Sequence, residues 1–128
     1  MNIYAVNYIL SRLSFTMAAA LAIPLVLAIV GKEASREAFM LSVFVSIFFG
    51  IAFRRYGERS DDLTPREGIA ITAFGWFTGT FLGMLPYLLG HYLGFLDALF
   101  ESISGFTGTG GTVFVTLDGV PYSILFWR

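Results

Sequence analysis

Three long apolar runs dominate the sequence and leave few folds open to it. Residues 13–30 (LSFTMAAALAIPLVLAIV) and 38–53 (AFMLSVFVSIFFGIAF) carry no charged side chain, and residues 68–96 contain no Asp, Glu, Lys or Arg and a single histidine, His91. A helix needs roughly 20 apolar residues to cross the hydrocarbon core of a bilayer. The first run fits that length. The second is slightly short, but Arg36 and Arg54 at its ends can snorkel. The third is long enough to span. A water-soluble core would have to cover all three, and only 13% of the 128 residues are charged, against about 25% in an ordinary soluble domain. The expected class is an all-α polytopic membrane protein.

Local signals mark the helix ends. Thr64, Pro65 and Glu67 in "LTPREG" read as N-cap, N1 and N3 of a capping box, starting the third helix at Pro65. Ser35 is placed to cap the second helix, and Gly31 to end the first. The turn between them is short, so the first two helices form an antiparallel hairpin. This divides the chain into an N-terminal transmembrane hairpin, 1–60, and a second unit, 61–128. The first run is longer than a typical signal-peptide core and no clear A-x-A site follows it, which favours a retained helix. Loop 54–66 carries Arg54, Arg55, Arg59 and Arg66. The positive-inside bias then puts this loop and the N-terminus in the cytoplasm of a multi-pass cell-membrane (inner or plasma membrane) protein.

The third helix is followed by a different kind of sequence. In "FLDALFESISGF" (95–106), Leu96, Leu99, Phe100 and Ile103 share one helical face, and Asp97, Glu101 and Ser104 share the other. Twelve residues are too few to span, so a re-entrant or interfacial helix is expected. "TGTGGTVF" (107–114) comes next, and Pro121 opens a returning helix. Non-helical backbone at membrane depth survives only where it is buried in protein or lines a watery cavity. Glycine there lets carbonyls turn to one side, and carbonyls can replace the hydration shell of a potassium ion. Thr107, Gly108, Thr109, Gly110 and Gly111 are therefore the candidate ion-filter residues, with potassium at Thr109 and Gly110. Asp97, Glu101 and Asp118 are candidates for a cation-attracting outer mouth, since no lysine or arginine lies between Glu67 and Trp127. The plainer alternative for these residues is an extracellular Gly/Thr loop behind an interfacial helix.

Gly75, Gly79 and Gly83 form a small-xxx-small row on the third helix, read as a packing surface. This row also supports a rival function: a non-conducting membrane protein that assembles with partners through that face. Trp127 and Tyr122 suit an outer aromatic belt. There is no cysteine, so thiolate metal sites and disulfides are excluded. The glycine segment lacks the Gly-Lys-Ser/Thr ending of a P-loop and the third glycine of a dinucleotide fingerprint. No basic patch points to nucleic acid. An enzyme is not expected, and no cofactor beyond potassium as the transported substrate.

The stretches "LTPREG", "FLDALFESISGFTGTGGTV" and "SILFWR" together resemble the TrkH family of potassium uptake proteins, within the Trk/Ktr/HKT superfamily. The similarity covers most of the chain. It implies two extra N-terminal helices, then the first of four helix–pore-loop–helix repeats, with a pore helix at 95–105 and a filter at 106–112. The family's usual reading is close to S-G-F-T-T-T-G-A-T-V. Gly110 falls on its filter glycine, while Gly108 and Gly111 stand where threonine and alanine are usual. The resemblance further implies that the remainder of a full-length chain completes the pore. It also implies a homodimer and a cytoplasmic nucleotide-binding regulatory subunit.

The topology is directly testable. Single cysteines at Ser60 and Thr116 should react with impermeant thiol reagents from opposite sides of the membrane, Ser60 from the cytoplasm only. Labelling of both from one side would sink the re-entrant reading.

Overall fold

The computed structural model describes residues 2–60 and 62–128. The boundary expected between residues 60 and 61 adjoins residue 61, which lies outside them. Five helices follow one another: α1 (Ile3–Val30), α2 (Arg36–Arg55), α3 (Pro65–Leu89), α4 (Phe95–Thr107) and α5 (Tyr122–Trp127). The first three are each long and apolar enough to cross a membrane.

α1 starts ten residues before its apolar run. The Asn2 side chain caps it, Oδ1 accepting the Ala5 N–H at 3.2 Å. At 1.5 Å per residue its 28 residues measure about 42 Å, longer than a bilayer core of about 30 Å. The extra turns carry exposed Arg12 and dock on the arginine-rich loop. There the Glu58 N–H donates to Tyr4 O at 3.0 Å, and the Arg54 guanidinium lies 4.7 Å from the Tyr8 ring centre. The same end is tied to α3. Glu67 Oε2 accepts the Thr64 N–H at 2.6 Å, the expected capping contact, while Oε1 accepts the Asn2 N–H at 2.6 Å.

α1 packs along α2 and also against α3 and α5. The close approach of α1 and α2 comes from small residues missed in the sequence reading. Ser42, Ser46 and Gly50 repeat every fourth residue on α2 and are buried, as are Ser11 and Ser14 on α1. Each of these serines donates to a carbonyl one turn back in its own helix: Ser11 to Tyr8, Ser14 to Leu10, Ser42 to Ala38, Ser46 to Ser42. None therefore presents an unpaired hydroxyl to the interface. A Cβ on Gly50 would lie 2.8 Å from the Phe15 ring, so any larger residue there would displace that ring. An apolar core of Leu21, Ala28, Phe39, Met84, Tyr87, Ala98 and Ile124 joins the five helices.

The Gly75/Gly79/Gly83 row does not act as one surface. A Cβ on Gly83 would meet Phe106 Cε2 at 2.5 Å and Ser102 Oγ at 2.8 Å, so Gly83 admits α4. Gly79 has nothing within 4 Å of that position, and Gly75 only Leu13 at 3.7 Å. Both line a cleft with Leu13, Met17 and Trp76.

The opposite end is organised by Glu33, in the turn between α1 and α2. Its Oε1 accepts the Tyr122 N–H at 3.0 Å; its Oε2 accepts the Ser123 N–H at 3.1 Å and the Ser123 hydroxyl. Ser35 holds the N-cap position of α2, but its hydroxyl does not cap that helix. It is 2.6 Å from Ser123 Oγ and 3.2 Å from Glu33 Oε2 instead, because the returning chain offers it a partner at closer range. Burial pushes the Glu33 carboxyl up, but hydrogen bonds from Ser123, Ser35 and Tyr122 outweigh this and hold it below its ordinary value.

Two outcomes follow. Gly83→Ala should lower stability in detergent by about 1–3 kcal/mol through overpacking, whereas Gly79→Ala should be neutral or raise it by up to about 1 kcal/mol through helix propensity; chemical unfolding of both variants checks this. The lowered Glu33 pKa makes its ionised form stabilising above the unfolded-state value of about 4.3. The difference in melting temperature between wild type and Glu33→Gln should therefore hold from neutral pH down to about 4.3 and shrink as pH falls through the lower, folded-state pKa. A difference that persists in strong acid would remove the carboxylate from that role.

Candidate functional site

The chain leaves α3 near Ser35's end of the molecule, runs along α4, reverses, and returns beside α4 to Pro121. At about 1.5 Å per residue α4 is roughly 20 Å long, so the reversal lies well inside the length of α1–α3. The expected amphipathic faces are present, but their packing is inverted. Ala98, Glu101, Ser102 and Ser104 are buried, whereas Leu96 is 75% exposed and Phe95, Phe100 and Ile103 are also exposed. The buried polar groups all find partners. Ser102 Oγ donates to Thr80 O of α3 at 2.9 Å, and Ser104 Oγ to Gly111 O at 2.6 Å.

The reversal is a helix stop of defined geometry. Gly108 has φ 67°, in the left-handed region, the Thr109 N–H donates to Ser104 O, and the Gly108 N–H donates to Gly105 O. These are the paired bonds of a Schellman motif, which favours glycine at this position. Glycine at 108 thus has a local structural reason. Gly110 is left-handed as well, with φ 75°. Thr107 Oγ1 donates to Ile103 O at 2.8 Å, so its 2.7 Å contact with Thr109 Oγ1 has Thr109 as donor.

Glu101 holds the returning strand. The residue is 3% exposed, and its carboxylate accepts the Thr112 hydroxyl at 3.0 and 3.1 Å, the Val113 N–H at 3.0 Å and Arg128 Nε at 2.7 Å. The Arg128 guanidinium also lies 5.9 Å from the centre of the Phe114 ring. Glu101 is therefore an internal brace rather than an exposed mouth residue. One polar face of a helix cannot show from sequence alone which of its acids meets an arginine 27 residues further on. Asp97 and Asp118 are exposed, Asp97 in the first turn of α4 where the helix dipole favours an acid. Trp127 is half-buried and donates Nε1–H to Gly83 O at 2.9 Å, so it is a packing residue, not part of a belt; Tyr122 is exposed.

Thr107, Gly108, Thr109 and Gly110 are exposed. The Gly111 carbonyl is taken by Ser104, while those of Gly108, Thr109 and Gly110 accept no hydrogen bond among the described residues. Gly110 and Gly111 line a polar cavity of about 290 Å³ with Glu101, Ser104, Gly105 and Arg128. Oxygen donors of carbonyl and hydroxyl type, with no compensating positive charge among residues 107–111, suit a weakly hydrated monovalent cation better than an anion.

No protein-family model matches the chain. It is 31% identical over its whole length to the Trk system potassium uptake protein TrkH of Escherichia coli K12, of which it covers 27%. It is 29% identical over 83% of its length to a cation transporter of Methanocaldococcus jannaschii, covering 22% of that protein. The crystal structure of the potassium transporter TrkH from Vibrio parahaemolyticus superposes on the entire chain with a TM-score of 0.92 at 30% identity, the chain covering 28% of it. The chain spans about a quarter of the length of these TrkH relatives. With sequence similarity and fold agreeing from end to end, the chain is similar over its whole length to one segment of these TrkH proteins.

Proposed function

We propose that the chain forms part of the translocating subunit of a Trk-type potassium uptake system. Residues 1–60 supply an N-terminal hairpin. Residues 61–128 supply the first pore repeat, in which α4 is the pore helix and 107–111 one wall of the filter. The observation that carries this reading is the backbone at Gly110: left-handed, exposed, and bounded by carbonyls that no donor among the described residues occupies. Potassium would be held at Thr109 and Gly110 by those oxygens, with the other walls supplied by further chain. Gly111 contributes spacing rather than a ligand, since its carbonyl faces Ser104. Asp97 and Asp118 would supply the acidic outer field, and Glu101 does not add to it because Arg128 neutralises it.

The same reading puts the N-terminus and the arginine-rich loop in the cytoplasm of a plasma or inner membrane. It makes a homodimer the working unit and a cytoplasmic nucleotide-binding protein its regulator. The rival, assembly of a non-conducting protein through Gly75, Gly79 and Gly83, is weakened. Gly83 is already covered by Phe106 and Ser102 of the same chain, and it is the one member of the row whose Cβ would collide.

The test separates two adjacent glycines. A side chain at Gly110 meets nothing within 4 Å, so its cost is the left-handed backbone, about 1–2 kcal/mol, together with altered carbonyl direction. A methyl group at Gly111 would lie 3.3 Å from Phe100, which a small ring shift accommodates. In the full open reading frame, expressed in cells lacking potassium uptake, Gly110→Ser should cut potassium-limited growth or admit sodium. Gly111→Ala should stay near wild type at equal membrane abundance. Normal, sodium-insensitive uptake by Gly110→Ser would reduce 107–111 to a plain loop.

A further inference from the structure

We propose that Glu33, in the outer turn of the N-terminal hairpin, is a remote positioning residue for the filter segment, acting through α5; this rests on the filter reading above. The physical path is continuous. The turn that carries Glu33 is fixed to α1, its N–H donating to Ala28 O at 2.9 Å. The Glu33 carboxylate holds the first residues of α5 by the Tyr122 and Ser123 N–H groups and the Ser123 hydroxyl. α5 is pinned at a second point as well. Trp127 is bonded to Gly83 O, and Arg128 next to it is bonded to Glu101. Glu101 in turn grips Thr112 and the Val113 N–H, directly behind Gly110 and Gly111. Fully buried Ile124 sits between the two pins, in the core shared by α1, α2 and α3.

The surroundings of Glu33 explain why a carboxylate is required. All four groups within hydrogen-bond distance can donate: two backbone N–H groups and the hydroxyls of Ser35 and Ser123. An amide of the same shape would turn its NH2 towards one of them, losing that bond and setting donor against donor. The clamp would then let α5 shift, and Arg128 with it. Glu101 would lose its alignment on the strand without any change in the filter residues themselves. The N-terminal hairpin thereby acquires a role beyond spanning the membrane: it fixes the outer end of the repeat whose filter it does not touch.

The experiment uses the full-length transporter in uptake-deficient cells, with potassium uptake measured against competing sodium and normalised to membrane abundance. Glu33→Gln should lower the potassium-over-sodium preference roughly 2- to 30-fold, the span of couplings carried through packed networks. Ser123→Ala, which removes one hydroxyl and keeps both N–H donors, should shift it less and in the same direction. Glu101→Gln should shift it as well. The Glu33→Gln/Glu101→Gln double variant should fall short of the product of the two single effects, because both act on one path. If Glu33→Gln does not reach the membrane, Ser123→Ala decides. Unchanged preference in the Glu33 and Ser123 variants at equal abundance overturns the inference, as does a strictly multiplicative double variant. Gly110→Ser, run alongside, separates the failures: a changed preference there with none at Glu33 or Ser123 defeats only the clamp, and no change at Gly110 defeats the filter reading itself.

Discussion

The buried carboxylate of Glu101 is the interaction on which the polar half of the molecule depends. Taking a charge out of water costs several kcal/mol, and only close partners offset that cost. Glu101 has four bonds from three groups: both its oxygens face Thr112, one meets the Val113 N–H and the other Arg128. Removing any one leaves charge or donor uncompensated. The helix that carries it, the strand that returns past it and the start of the next helix are therefore held in one arrangement. The glycines at 108 and 110 take up left-handed backbone between segments that are held on either side.

The same requirement explains why α4 turns its polar face inward. In water an amphipathic helix buries its apolar side. Beside lipid and other apolar helices, Leu96 and Phe100 lose nothing by facing outward, while Glu101, Ser102 and Ser104 need partners that hydrocarbon does not supply. Thr80 O, Gly111 O and Arg128 supply them. The hairpin of α1 and α2 follows a related rule with weaker groups. Its serines satisfy themselves along their own helices, which leaves smooth faces that pack closely.

Much of this was legible in advance. The three spans, the start of α3 at Pro65, the short helix from Phe95 and the glycine-rich segment after it follow from charge-free length, capping chemistry and glycine placement. The start of α1 was not legible, because Arg12 interrupts the apolar run and the helix continues across it only where Tyr4 and Tyr8 meet the 54–58 loop. The glycine row of α3 was over-read as one packing surface. Only Gly83 has a neighbour close enough to need a glycine, and the serine row of α2 went unread because serine is a weaker signal of close packing than glycine. By sequence Ser35 is a local cap, whereas in the fold a residue 88 positions away claims its hydroxyl.

What the sequence by itself determined is local or compositional: which segments are apolar enough to cross a membrane, where capping residues start α3, and where glycine lets the backbone turn left-handed. These depend on a residue and its near neighbours, so they can be read in order along the chain. The tertiary structure alone decided which acid is exposed and which is buried, which carbonyls are occupied and which are left open, and which glycine is indispensable. Glu33 with Ser123 and Glu101 with Arg128 are pairs separated by 90 and 27 residues. Asp97 and Glu101 occupy one helical face and differ by a single turn, yet one meets solvent and the other an arginine. Burial and partnership belong to the packing of whole elements, and periodicity within one element does not contain them.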